Sequence, residues 1–222
     1  MPIRLPLFPL SMVLFPGLVL PLHVFEERYR VMVRELLALP EPERTFGVVA
    51  IRQGREVGSD GVSALHEVGC TALLRSSEEH DDGRFDIVTT GSTRFHLRGL
   101  QHDRPYLVGD VELVEDSVGF TEEARLLDAA VRAAYLDYLA ALREAGAEVD
   151  EPGLPDDALV LSYLVAATVQ VDLDDRQQLL AEPDGASRLR RELSLLRRES
   201  RLVRALGALP APELARTPTS PN

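Results

Sequence analysis

Lysine is absent from this chain of 222 residues, so all 24 of its basic residues are arginine. A P-loop needs a lysine on the terminal phosphates of its nucleotide, and no Gly-x-x-x-x-Gly-Lys motif can therefore occur. A serine–lysine catalytic dyad is excluded for the same reason, because no side-chain amine is present to act as the base. The sequence thus rules out two chemistries that depend on lysine, P-loop nucleotide hydrolysis and Ser-Lys proteolysis.

Cysteine is almost absent as well. The single Cys70 stands in an apolar, strand-like context and cannot form an intramolecular disulfide. A chain without disulfides suits a reducing compartment, so the sequence predicts a cytoplasmic protein in which Cys70 is a core residue. A domain of this length buries roughly 70% of the surface of its unfolded chain, so the core needs no covalent staple.

Long apolar runs are missing too. The opening is hydrophobic, but Pro6, Pro9, Pro16 and Pro21 interrupt it. Each proline removes a helix donor and pushes the residue before it toward extended geometry. No run of about 18 apolar residues remains to cross a membrane, and a signal peptide would need a continuous helical core. The opening therefore predicts short strands and turns that end at the prolines.

The charge balance disfavours nucleic acid as a partner, because the formal net charge is −12 and phosphate binding depends on cations. Positive charge is concentrated in residues 186–207, which hold seven arginines and two glutamates. On a helix, four of these arginines fall within an arc of about 60°: Arg190, Arg197, Arg201 and Arg204. We interpret this stripe as a solvated face paired with the protein's own acids; the alternative is docking of an acidic partner.

Hydrophobic periodicity divides the chain. Residues 1–116 carry strand signals, apart from a helix at about 25–38, and many short strands hide their edges by closing into a small barrel. Residues 117–207 change to helical spacing and predict a bundle that ends in the Arg-rich helix. Thr121, Asp156 or Asp157, and Asp184 are its expected N-caps. The proline-rich residues 208–222 predict a disordered tail, and the fold class is α+β.

No catalytic constellation is found in the sequence. The five histidines, which never fall in a metal-ligand spacing, are His23, His66, His80, His96 and His102. The run His80-Asp81-Asp82 precedes Gly83 and is better interpreted as a hairpin turn than as a metal site. No serine stands in a Gly-x-Ser-x-Gly elbow. The sequence therefore predicts no enzyme, no cofactor and no metal ligand.

Several segments together resemble a known family. Leu5-Pro6-Leu7, Phe15-Pro16-Gly17 and Leu20-Pro21-Leu22 precede an amphipathic helix, and segments 46–51, 56–58, 65–72, 82–95 and 105–112 follow in order. This series resembles the substrate-binding N-terminal domain of Lon-type ATP-dependent proteases over most of residues 3–206. The resemblance implies a PUA-like β pseudobarrel followed by a C-terminal helical bundle, here without the ATPase and protease domains.

The function implied by the resemblance is recognition without catalysis. Such a module binds unfolded or apolar-exposed polypeptide, with an adaptor role beside a separate protease as one form of that function. We name as candidates for an exposed apolar groove Phe8, Pro9, Phe15, Pro16 and His23, for which a place in the core is the alternative.

Two other function classes stay open from the sequence. PUA-like barrels also bind RNA, which only the arginine stripe favours, because the acidic balance and the missing lysine count against it. A small-molecule binder or hydrolase that uses the barrel cavity is the third class, and no residue pattern supports or forbids it.

Overall fold

The structure, a computed structural model, describes residues 3–54, 62–150 and 153–206. The chain divides into two compact units, Met1–Asp116 and Ser117–Asn222. Within the described residues the first unit holds seven strands and one α-helix, and the second holds four α-helices. The α+β class follows from this arrangement.

The first unit alternates short strands with a single helix. Its elements are β1 Ile3–Leu10, β2 Val19–Val24, α1 Glu27–Leu37, β3 Thr45–Gly54, β4 Val62–Leu65, β5 Val68–Glu79, β6 Phe85–Gln101 and β7 Val108–Leu113. The helix expected at about 25–38 is found as α1. β6 is a single long strand, and its pairing with β5 and with β7 shifts register along its length.

Five strands form a closed ring. β1 pairs antiparallel with β7 through Ile3–Pro6 and then parallel with β3 through Leu7–Leu10. The order β1-β7-β6-β5-β3 therefore returns to β1, so these strands have neighbours on two sides, as edge protection requires. β4 extends the sheet from β3, and β2 lies beside β6.

The prolines of the opening do not all end strands as expected. Pro6 and Pro9 lie inside β1 and Pro21 lies inside β2, whereas Pro16 starts a turn in which Gly17 has φ +83°. Each half of β1 pairs along one side, and β2 is an edge strand in the ladders of the described residues. A proline is tolerated at such positions because its missing N–H is not needed by the ladder.

Two apolar clusters fill the first unit. The first cluster consists of buried residues on strands of the ring, Leu5, Leu7, Val49, Phe95 and Val111. Gly69 leaves room for this packing, because a Cβ there would lie 2.4 Å from Cζ of Phe95. The second cluster lies under α1, whose buried residues Tyr29, Met32, Val33 and Leu36 face Phe8 and Phe46.

The second unit consists of α2 Thr121–Glu144, α3 Ala158–Thr168, α4 Leu173–Ala181 and α5 Gly185–Leu206. Asp157 and Asp184 accept backbone hydrogen bonds at the starts of α3 and α5, at 2.9 and 2.7 Å. The N-cap expected at Thr121 is wrong by one residue, since α2 is capped at Phe120, without a side-chain hydrogen bond.

α5 packs chiefly against α2 and then against α3. Its apolar residues Leu189, Leu196 and Val203 are buried, whereas Leu202 and Leu206 are exposed. None of the helices described is long and apolar enough to cross a bilayer. The disordered tail expected at 208–222 lies outside the described residues.

Candidate functional site

A concave surface lies on the outer face of β2, β5 and β6. It encloses a cavity of 560 Å³, lined by Pro21, Leu22, His23, Ser76, Ser77, Glu78, Asp86, Ile87 and Val88. β6 is the central strand, and the register places Pro21 and Ser76 on either side of Val88. The next exposed row places His23 and Glu78 on either side of Asp86.

The alternation of the strands separates the core from this surface. Leu20, Val24 and Ile87 are buried and Leu22 packs on the core, whereas the alternate residues Pro21, His23, Asp86 and Val88 are exposed. Four apolar side chains on or beside the outer face are exposed, with Val19 at 65%, Phe25 at 50% and Val88 at 36%. We call the set Val19, Pro21, Phe25 and Val88 the β2–β6 patch; it lies beside His23, whose ring centroid is 6.4 Å from that of Phe25.

The second edge of β2 has no strand partner in the part of the chain that the structure describes. The N–H of Gly91 in β6 donates to the carbonyl of Leu18 at 2.8 Å, and paired positions alternate in an antiparallel ladder. The backbone groups of Val19 and His23 are therefore on the open edge, with Pro21, which has no N–H, between them. The edge offers donors and acceptors to another chain, but not a continuous donor row.

One carboxylate joins two imidazoles at the rim of the cavity. Asp86 Oδ1 accepts from His23 Nδ1 at 2.6 Å, and Asp86 Oδ2 accepts from His80 Nε2 at 2.7 Å. Hydrogen bonds from His23 and then His80 lower the pKa of Asp86. Arg84 Nη1 lies 3.3 Å from His23 Nε2, and because a guanidinium only donates, the proton of His23 is assigned to Nδ1.

The position of His80 close to His23 was not predicted from the sequence. The run His80-Asp81-Asp82 does form the expected hairpin turn, in which Gly83 has φ +78° and donates to the carbonyl of His80 at 2.8 Å. The ring of His80 nevertheless reaches Asp86 on the neighbouring strand. Only the pairing of β2 with β6 brings His23 to this point, and no sequence spacing shows that pairing.

The predicted groove residues are placed differently. Phe8, Pro9 and Phe15 are buried, and Phe8 stacks on Tyr29 with ring centroids 4.1 Å apart. These three belong to the core, which corrects the expectation of an exposed groove built from them. Pro16 is half-buried in its turn, and His23 is exposed on the concave surface. The period of two in β2 was the available signal for Val19, Pro21 and His23 on one face.

The arginine stripe of α5 is half paired. Arg190 forms an ion pair with Glu123, and Arg204 contacts the two carboxylate oxygens of Asp137 at 2.7 and 3.0 Å. Arg201 donates to the carbonyl of Arg197 at 3.0 Å. Among residues 3–54, 62–150 and 153–206, neither Arg197 nor Arg201 has an acidic partner. Self-pairing thus explains two of the four arginines.

Cys70 does not provide a nucleophile to this surface. Its side chain is fully buried in β5, and burial raises the pKa of the thiol to about 12. A thiol with this pKa is protonated at neutral pH, so it lacks the thiolate that reacts. Cys70 acts as a small core residue.

In the described part of the chain, a closed ring of strands in the first unit is followed in sequence by four α-helices in the second, which is an α+β arrangement. The family model of the ATP-dependent protease La (LON) substrate-binding domain matches residues 4–198. The chain therefore belongs to this family. The matched region is the substrate-binding domain of Lon, not its protease domain.

Comparison with curated proteins gives the same family. A Lon protease of Anaeromyxobacter dehalogenans is 28% identical over 212 residues, covering 91% of this chain and 24% of that protein. A Lon protease of Roseiflexus castenholzii is 29% identical over 210 residues, covering 90% and 24%. The chain thus spans about a quarter of the length of these relatives.

Solved structures of Lon N-terminal domains match the fold. A Lon N-terminal domain protein from Xanthomonas campestris is 27% identical, with a TM-score of 0.63, covering 86% of this chain and 98% of that one. The N-terminal domain of a Mycobacterium avium complex Lon protease, 18% identical, has a TM-score of 0.61 over 87% of this chain and 98% of that one. The second likeness bears on the fold alone.

Proposed function

We propose that this chain is a non-catalytic polypeptide-recognition module that binds unfolded or apolar-exposed segments on the β2–β6 patch. The observation that carries the proposal is the coincidence of exposed apolar side chains, an open cavity and an unpaired strand edge on one surface. An exposed apolar patch of this kind is typical of a partner site. Membership of the Lon substrate-binding family supports the choice of polypeptide as the ligand.

Binding would combine two kinds of contact. An apolar side chain of the client enters the 560 Å³ cavity and packs on Pro21 and Val88. The client backbone exchanges hydrogen bonds with Val19 and His23 at the open edge of β2, which is strand addition limited by Pro21. Glu78 and Asp86 at the rim favour clients with a basic residue beside the apolar one.

The type of barrel, the helical bundle and the adaptor role that the family resemblance implies are also proposals. We infer that the ring of strands is a PUA-like pseudobarrel and that α2–α5 form a helical bundle. An adaptor role, in which the module passes clients to a separate protease in the cytoplasm, is the form of the function we favour. The alternatives of RNA binding and of a small-molecule site gain no specific support from the groups on the concave surface.

The binding test uses fluorescence anisotropy of a labelled, permanently unfolded protein, with the same protein in its folded form as the control ligand. We expect saturable binding of the unfolded form only. The double variant Val19→Glu, Val88→Glu is expected to bind at least about tenfold more weakly, which is about 1.4 kcal/mol, because it places charge on the apolar surface.

The matched control is Leu126→Glu, which changes a leucine that is 63% exposed on α2. Equal weakening by this control would contradict the proposed location. Equal binding of the folded ligand would contradict recognition of unfolded chains. An RNA oligomer is titrated in parallel, and saturable RNA binding with a steep salt dependence would favour the RNA alternative.

We further propose that Arg197 and Arg201 dock carboxylates of a client or partner, since arginine pairs well with carboxylates. The double variant Arg197→Glu, Arg201→Glu is expected to weaken binding of a labelled acidic peptide about fivefold, or about 1 kcal/mol, as is typical of exposed ion pairs. The control Arg52→Glu, Arg125→Glu changes the net charge equally at exposed sites elsewhere. If the two double variants lose the same affinity for the acidic peptide, the loss comes from the change in net charge and not from Arg197 and Arg201.

A further inference from the structure

Three side chains at the cavity form a ligand cluster, of which the proposed function uses only the negative charge of Asp86. His23, His80 and Asp86 could together hold a metal ion. Within the described residues, no other group of three or more His, Cys, Asp or Glu side chains could do so. One ligand atom from each residue lies within 4.8 Å of the others. The three come from β2, from the turn between β5 and β6, and from β6, so the tertiary fold assembles the cluster.

We propose that His23, His80 and Asp86 bind one divalent transition-metal ion of the zinc class. Two imidazoles and one carboxylate form a donor set that suits Zn²⁺ and Co²⁺, whereas Mg²⁺ and Ca²⁺ prefer oxygen ligands alone. Three protein ligands leave a fourth position for water or for a ligand in the cavity. The proposal does not depend on polypeptide binding.

The present contacts are close to those of a bound ion. Asp86 lies 2.6 Å from His23 Nδ1 and 2.7 Å from His80 Nε2. In a tetrahedral zinc site, bond lengths of about 2.0–2.1 Å place neighbouring ligand atoms about 3.3 Å apart. The two atoms of each of these pairs have to separate by only about 0.6–0.7 Å on this estimate. The ligand nitrogens of His23 and His80, which lie within 4.8 Å of each other, have to reach the same spacing. The side chains are half-exposed, so rotation can supply this movement.

The surrounding charges act in opposite directions. Glu78 lies opposite Asp86 in the β5–β6 register and adds negative charge that favours a cation. The Arg84 guanidinium, 3.3 Å from His23 Nε2, opposes a cation, although Asp82 pairs with it at 2.6 Å. Binding of the ion through His23 Nδ1 also transfers the proton assigned to that nitrogen to Nε2, so the Arg84 side chain has to turn away. Removal of the Arg84 charge should therefore strengthen metal binding. Loss of a metal ligand or unfolding of the protein would weaken metal binding, so neither can account for a gain in affinity.

The test is titration of metal-free protein with Zn²⁺ by calorimetry and with Co²⁺ by visible absorption. We expect one ion per chain and the intense absorption bands of four-coordinate Co²⁺. Each of His23→Ala, His80→Ala and Asp86→Asn is expected to weaken Zn²⁺ at least about tenfold, since even outer partners of metal ligands contribute this much. Arg84→Gln is expected to bind more tightly, and the exposed control His102→Ala to bind as the wild type does.

Two results would overturn the assignment. The first is that the double variant His23→Ala, His80→Ala binds Zn²⁺ with the same affinity as the wild type. The second is that His102→Ala loses as much Zn²⁺ affinity as the variants of the three proposed ligands. Circular dichroism of each variant separates loss of a ligand from loss of fold. Zn²⁺ binding is measured without any polypeptide. A failure to bind Zn²⁺ would therefore not contradict the recognition proposal, and a failure to bind polypeptide would not contradict the metal-site proposal.

Discussion

Asp116→Asn is expected to lower the free energy of unfolding by about 3 kcal/mol, because it removes the carboxylate that faces a buried guanidinium. Asp116 Oδ1 accepts from Arg94 Nε and Nη2, each at 2.7 Å. The side chain of Arg94 is 2% exposed and that of Asp116 is 20% exposed. An asparagine at this position still accepts a hydrogen bond, but it no longer balances the buried charge of Arg94. Urea unfolding at pH 7, followed by circular dichroism, measures the change.

The matched control is an exposed pair on the same strand. Arg98 contacts Glu112 at 2.7 Å, and the two side chains are 56% and 55% exposed. Glu112→Gln should therefore cost less than about 1 kcal/mol. The double variant Arg94→Met, Asp116→Leu should regain part of the loss, since no charge then stays buried. If Asp116→Asn costs no more than Glu112→Gln, the buried pair does not stabilise the fold as argued.

Element types were predictable from the sequence because local signals agree with the fold. The apolar spacing around Tyr29 and Met32 gives α1, and acceptor side chains at Asp157 and Asp184 start α3 and α5. The order of the Leu-Pro-Leu and Phe-Pro-Gly segments was enough for the family. The path of β1 between β7 and β3 depends on long-range pairing, and hence the prolines inside it were misjudged.

The candidate surface was only partly predictable. Phe8 and Phe15 are as apolar as Val19 and Val88, so composition cannot tell which of them faces water. In β2 the alternation with buried Leu20 does give the outward residues, and His23 is the predicted residue that lies on that surface. Asp86 and His80 join it through the β2–β6 and β5–β6 pairings, which act over 63 residues in the case of His23 and Asp86. No local spacing carries that information.

The Arg-rich helix was the least predictable element. Four of its arginines were expected on a solvated face, and no prediction was made for Arg188, which is fully buried. Arg188 donates to the carbonyl of Leu179 and to Ser162 Oγ, at 2.9 and 3.0 Å. Four residues later Glu192 is fully buried as well. A helical wheel places both positions among buried leucines, and charge alone argued against that placement. The cost of burying Glu192 can be measured.

Glu192→Met is expected to stabilise the protein at pH 8, by about 1.4 kcal/mol for each unit by which burial raises the pKa of the carboxyl group. Neither carboxyl oxygen of Glu192 has a hydrogen-bond partner in the described structure. Burial raises the pKa of Glu192 well above its ordinary value of 4.5, and the nearby Arg188 guanidinium opposes this only in part. The folded protein therefore keeps a proton that the unfolded chain releases.

The sign of the pH dependence follows from that proton. Above about pH 4.5 the unfolded chain loses the Glu192 proton while the folded state retains it, so this group lowers stability as the pH rises toward the folded pKa. The difference in unfolding free energy between Glu192→Met and the wild type should thus be small at pH 4 and grow toward pH 8. Urea unfolding at each pH measures this difference, and Glu148→Met, at an exposed position, should show no such growth.

The opposite result has its own physical meaning. If Glu192 were ionised in the fold, it would be the counter-charge of Arg188, and Glu192→Met would destabilise the protein by about 3–5 kcal/mol at pH 8. That outcome would contradict the raised pKa. Arg188→Met separates the two cases further. If Glu192 is neutral in the fold, removal of the guanidinium should raise the pKa of Glu192 still more; if Glu192 is ionised, its carboxylate is left buried without a cation. Steeper loss of stability with pH in that variant is the result we expect.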